Sequence, residues 1–171
     1  MLRKSSPVRR VTLTGVPVWN ERRTSEGTAR AASYTAVVTV TGEGRNGGRV
    51  AADDGLLDTT LAIPKELGGT GGVTNPEQLF AAGWGACFLG AVRRAAAQRK
   101  VRLTSTSITV EATLRHGDDG EFGLAAVLNL ELGGVDQRTA EELGAAAHQL
   151  CPYSKATRGN IPVTIRATAV A

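Results

Sequence analysis

Residues 75–88 read Asn-Pro-Glu-Gln-Leu-Phe-Ala-Ala-Gly-Trp-Gly-Ala-Cys-Phe (NPEQLFAAGWGACF), and this stretch decides the architecture. Asn75 can cap a helix, Pro76 is preorganised for its first position, and Gln78 can reach back to the capping amide. The pattern predicts a helix over 76–100. Phe80, Trp84, Cys87, Phe88 and Ala91 recur at spacings of three and four, giving a broad apolar face. Ala81, Ala82, Gly83, Gly85, Ala86 and Gly90 leave the other sides small and uncharged. A helix apolar nearly all round is expected to be covered on most sides, by sheet or by a second copy of itself.

Upstream, residues 34–41 (YTAVVTVT) are rich in β-branched side chains and predict a strand, the GEGRNGG that follows a turn, and 49–52 the return strand. Residues 56–63 form a third strand candidate, stopped by Pro64. Downstream, 108–115 and 122–132 predict a hairpin around GDDG, and 135–150 a second helix capped by Asp136. Pro152 stops that helix or starts a new turn, and 162–170 closes the chain as a strand. The order βββαββαβ lacks strict βαβ alternation, so the fold class is α+β with mainly antiparallel sheet.

At 171 residues with 42% apolar side chains, the chain can bury an ordinary core. Residues 1–32 carry seven basic against two acidic groups, while the rest carries 13 against 14, so the formal charge of +4 resides in the N-terminal segment. That segment, with a short strand candidate at Val11–Leu13, is expected to be a mostly irregular extension preceding one domain over 33–171. Its only aromatic is Trp19, too little stacking capacity for a single-strand platform, and a nucleic-acid or surface role for the arm is the weaker reading. No run approaches the length of a membrane-spanning helix, and the first twenty residues lack the apolar core of a secretory signal. A cytoplasmic location is the expectation.

Two cysteines, Cys87 and Cys151, are in a reducing compartment core residues, metal ligands or working thiols. Alone, Cys87 reads as an inert core thiol. Cys151 lies between a helix end and a Pro-led turn, where free backbone N–H groups can stabilise a thiolate. Zinc binding is disfavoured, since the cysteines are 64 positions apart without a CxxC unit and only His148 and His116 could join them. A Cys/His hydrolase lacks an evident oxyanion hole, and His148 reads as a partner for the carbonyls at its helix end. LGGTGG resembles a phosphate cradle only superficially, because no Lys-Ser/Thr pair follows it. Arg45 projects from the glycine-rich turn, and Glu77 complements the helix dipole. On a straight helix Glu77 and Cys87 are about 15 Å apart along the axis, so a shared site needs a bend near 83–85, an Arg bridge or a second subunit.

The strings NPEQLFAAGWGACF and CPYSKATRGN, with YTAVVTVTGEGRNG, LGGTGG and IPVTI, resemble the organic hydroperoxide resistance (Ohr) branch of the OsmC/Ohr superfamily over about residues 34–170. The resemblance implies an intertwined homodimer with antiparallel sheets wrapped around long central helices and active sites at the interface. It implies a thiol peroxidase in which Cys87 is the peroxidatic cysteine and Cys151 the resolving one. Arg45 is the turn arginine that favours the thiolate, and Glu77 the carboxylate that holds it. It further implies organic hydroperoxide substrates, no cofactor or metal, and a dithiol reductant, typically lipoyl on a lipoylated protein. Phe80, Trp84 and Phe88 would line an apolar pocket favouring alkyl and fatty-acid hydroperoxides. Trp84 departs from the tyrosine more usual there, and its larger ring would narrow that pocket. Rival readings are the broader OsmC branch with a different peroxide preference and a hot-dog thioesterase, for which no carboxylate and general base are evident.

Overall fold

The computed structural model describes residues 32–117 and 120–171. The strand expected at Val11–Leu13 lies outside them, as does Asp118-Asp119 of the hairpin turn. Residues 36–171 pack as one unit. Its elements are β1 (Val38–Thr41), β2 (Arg49–Ala52), β3 (Asp58–Thr60), α1 (Pro76–Gln98), β4 (Thr106–His116), β5 (Phe122–Gly133), α2 (Gln137–Leu150), α3 (Pro152–Thr157) and β6 (Val163–Val170). The class is α+β, as the sequence predicts.

Three strands form an antiparallel sheet in the order β1-β2-β3, and a second sheet has the order β4-β5-β6. The β4–β5 hairpin is antiparallel, with Thr106 opposite Leu132 and His116 opposite Phe122. β6 runs parallel to β5. Two helices stand between those strands, and a crossover of that kind returns the chain in the same direction. The expected order βββαββαβ gains one element, because Pro152 opens a six-residue helix rather than a turn.

The caps explain where the helices begin. Asn75 Oδ1 accepts from the Gln78 amide at 2.9 Å, and Asp136 Oδ1 from the Thr139 amide at 2.7 Å. The Gln78 side chain does not reach back to the capping amide as expected. Its Oε1 accepts instead from the Thr74 hydroxyl at 2.8 Å. At the other end of α1, the Val101 and Lys100 amides bond the Ala96 and Ala97 carbonyls, and Lys100 takes a left-handed φ of 56°.

α1 and α2 lie against the second sheet. Ala126, Leu128, Leu130 and Leu132 alternate along β5 and meet Trp84, Phe88 and Val92 of α1 and Leu143 of α2 in one core. Full burial of each large side chain contributes about 1.5–3 kcal/mol. At Gly85 α1 lies close against β4: a Cβ there would stand 3.3 Å from Val110 Cγ2. The remaining face of α1 is incompletely covered by its own chain, with Ala82, Ala86 and Gly90 exposed and Cys87 and Leu89 partly so. Val38 and Val40 of β1 are also exposed.

Candidate active site

The structure brings the four residues singled out by the sequence together as two pairs. In the first, Arg45 leaves a short 3-10 turn (Gly44–Asn46) between β1 and β2 and forks onto the carboxylate of Glu77 in the first turn of α1. Its Nη1 and Nη2 donate to Oε2 and Oε1 at 3.2 and 2.6 Å. Such a bidentate pair fixes the plane of the guanidinium as well as its position. The turn depends on Gly48, whose absent Cβ would fall 2.5 Å from the Gly44 carbonyl oxygen and 2.7 Å from that of Thr41.

In the second pair, the Cys151 thiol donates toward Cys87 Sγ at 3.3 Å. Both thiols are free, Cys151 fully buried and Cys87 partly exposed. Cys151 is both the C-cap residue of α2 and the N-cap residue of α3. Burial pushes the Cys87 thiol above its ordinary value, the Tyr153 backbone N–H draws it down, and the neighbouring Cys151 thiol pushes it up again. An oxygen inserted on Cys87 would leave Cys151 within reach for attack.

The two pairs stand apart within the chain. Glu77 and Cys87 are ten residues apart on α1, about 15 Å of rise. The helix runs through 83–85 without a break. Its Arg partner is committed to the Glu77 end.

A cavity of about 680 Å³ opens beside the Arg45–Glu77 pair, walled by Phe80, Leu114, Phe122, Leu124, Ile161 and Pro162. A second hollow of about 570 Å³ shares Arg45, Leu114 and Phe122 and continues to Ile63, Leu67 and His116. Of the three aromatic residues expected to line a pocket, Phe80 does. Trp84 and Phe88 are fully buried in the core. Trp84 packs edge-on against Phe80 at 5.3 Å between ring centroids and does not itself line the cavity. The walls from β4, β5 and residues 161–162 were not foreseen, because nothing local in those strands distinguishes a cavity wall from a core face.

His148 does not bond the carbonyls at its helix end. Arg158 Nη2 donates to the His148 carbonyl at 2.9 Å instead, leaving His148 Nδ1 buried without a partner. Burial, helped by the Arg158 charge, holds His148 below the usual imidazole value. Among the described residues no group of three His, Cys, Asp or Glu side chains could hold a metal ion, and no helix is long and apolar enough to cross a membrane.

Residues 69–166 match the model of the family described as OsmC-like protein. The chain is 48% identical over 134 residues to the organic hydroperoxide resistance protein of Xanthomonas axonopodis pv. citri, covering 77% of this chain and 92% of that protein. It is 43% identical over 136 residues to OhrB of Bacillus subtilis, covering 78% and 97%. The crystal structure of an organic hydroperoxide resistance protein from Legionella pneumophila superposes with a TM-score of 0.75 at 45% identity, covering 82% of this chain and all of that one. That of Bacillus subtilis OhrB gives 0.71 at 40% identity, covering 79% and 98%.

Proposed function

The chain belongs to the OsmC/Ohr family, and from that premise we propose that it is a cysteine peroxidase that reduces organic hydroperoxides to alcohols. The observation that carries this reading is the 3.3 Å approach of two free thiols, Cys87 and Cys151.

The chemistry proceeds in two steps on the chain. The Cys87 thiolate attacks the terminal oxygen of the peroxide, the O–O bond breaks, and the alkoxide leaves as alcohol with a proton, giving Cys87 sulfenic acid. Cys151 then attacks the Cys87 sulfur, the S–O bond breaks, water leaves, and a disulfide remains. An external dithiol returns both thiols. A lipoyl group on a carrier protein suits this step, in a reducing, cytoplasmic setting, and no redox cofactor is required.

A thiol pushed up by burial needs a cation to ionise at neutral pH. Arg45 supplies it, and Glu77 fixes the direction of its fork. Because the Arg45–Glu77 pair lies about 15 Å along α1 from Cys87 of its own chain, the site is assembled across a homodimer. Each chain presents Arg45, Glu77 and the cavity to Cys87 of its partner. The uncovered small-residue face of α1 and the exposed apolar Val38 and Val40 support such a partner. The apolar walls at Phe80, Leu114, Phe122 and Ile161 favour an alkyl or fatty-acyl chain over hydrogen peroxide. Residues 1–32 form an extension to the peroxidase domain at 33–171.

Steady-state turnover with a lipid hydroperoxide and with hydrogen peroxide, using dihydrolipoamide as reductant, tests the reading. A strong preference for the lipid substrate, abolished by Cys87→Ser, is expected. Equal rates on both substrates would assign the chain to the broader OsmC behaviour, and turnover independent of Cys87 would end the proposal.

A further inference from the structure

The resolving thiol, on Cys151, stands at the N-terminus of α3, which is six residues long and too short to be stable by itself. Two contacts one turn apart join it to α1. Cys87 meets Cys151 at 3.3 Å, and three residues away on each helix Trp84 Nε1 donates to Ser154 Oγ, also at 3.3 Å. Trp84 and Ser154 are both fully buried, so neither polar atom has water as an alternative partner. Gly83 completes the seat: a Cβ there would come within 3.2 Å of Tyr153 Oη.

We infer that Trp84 and Ser154 are positioning residues that hold Cys151 at closing distance from Cys87, so that the sulfenic acid is captured before a second peroxide reaches it. The inference rests on the peroxidase reading above. Closing requires the sulfurs to approach from 3.3 Å to about 2.05 Å. In that step the S–S bond forms, the S–O bond of the sulfenic acid breaks, and the oxygen leaves as water with the Cys151 proton. If Cys151 lags, a second hydroperoxide instead transfers an oxygen to the Cys87 sulfur, giving sulfinic acid and another alcohol. Trp84 and Ser154 thereby set the partition between a reversible disulfide and irreversible inactivation without touching the peroxide.

The test uses the full chain with Ser154→Ala, Trp84→Phe and the double variant. Each is mixed with a lipid hydroperoxide, quenched over time and analysed by mass spectrometry for sulfenic, sulfinic and disulfide forms. The rate of Cys87 oxidation should stay within about twofold of the wild type. Disulfide closure should slow by between about tenfold and a hundredfold, with a matching rise in sulfinic acid under excess peroxide. The double variant should be no worse than the poorer single one, because both remove the same bond. Leu143→Val, which loosens the same core but leaves the Trp84–Ser154 bond in place, should leave the partition unchanged, which separates positioning from general loss of stability. If Ser154→Ala does not fold, Trp84→Phe, which keeps an aromatic ring in place, decides the matter. Oxidation of Cys87 followed by closure at the wild-type rate in the variants would overturn this inference alone. No oxidation of Cys87 in the wild-type chain would overturn the peroxidase reading with it.

Discussion

Glu77 and Cys87 share one uninterrupted helix, Pro76–Gln98, and the carboxylate that grips Arg45 is therefore held about 15 Å along the axis from the thiol. An unbroken helix acts as a ruler. It keeps the guanidinium of one chain away from that chain's own sulfur, and the proposed chemistry needs the two in contact.

Mixed dimers should reveal which chain supplies which group. Cys87→Ser and Arg45→Ala chains, each inactive alone, should recover roughly a quarter of the wild-type rate when dissociated and re-paired at random. Half of the dimers then carry one site with both Cys87 and Arg45 intact. If both groups came from one chain, no mixture would show activity.

The pH dependence of Cys87 reactivity should report the same arrangement. Within its own chain, burial is the largest influence on the thiol and pushes it up. In Arg45→Ala protein the alkylation rate should therefore reach half its maximum above the ordinary thiol value. In the proposed dimer the partner's guanidinium would favour the thiolate, so the midpoint should lie below that of the variant. Identical profiles would remove Arg45 from the activation of the thiol.

Phe80 forms part of the cavity wall and touches Trp84. Removing its ring should forfeit about 1.5–3 kcal/mol of apolar contact with a long-chain substrate. Phe80→Ala should raise KM for a fatty-acid hydroperoxide roughly tenfold or more while changing that for tert-butyl hydroperoxide far less. A parallel loss on both substrates would argue against chain recognition at this wall.

His148 gives a stability prediction with a definite sign. Its folded-state value is depressed by burial and by the Arg158 charge, so the unfolded chain binds the proton more readily. The stability it contributes is present above the usual imidazole value and is lost as pH falls through the folded one. Urea midpoints should decline across that window, and His148→Gln should flatten the decline.

The sequence exposes those parts of the fold that are local. Asn75, Pro76 and Asp136 announce helix starts because capping is settled within one turn. β4 and β5 pair nearly as their alternation requires. What escaped is short or non-local. α3 has too few residues for a periodic signal, and Pro152 is equally at home in a turn. The cavity is built from strand positions whose shared wall depends on tertiary assembly. The motifs around Cys87 and Cys151 pointed to one site, although spacing alone left both cysteines open to other roles. Trp84 illustrates the limit most clearly: its place on the apolar face was legible, but only the packing of α3 reveals its bond to Ser154.

The central claim is that Cys87 and Cys151 form a redox pair, and mass spectrometry of the reduced protein before and after one equivalent of a lipid hydroperoxide tests it most directly. A loss of two hydrogens mapping to a disulfide between Cys87 and Cys151, with one alcohol released per chain, is the predicted result. Two thiols still free after the peroxide is added would contradict it.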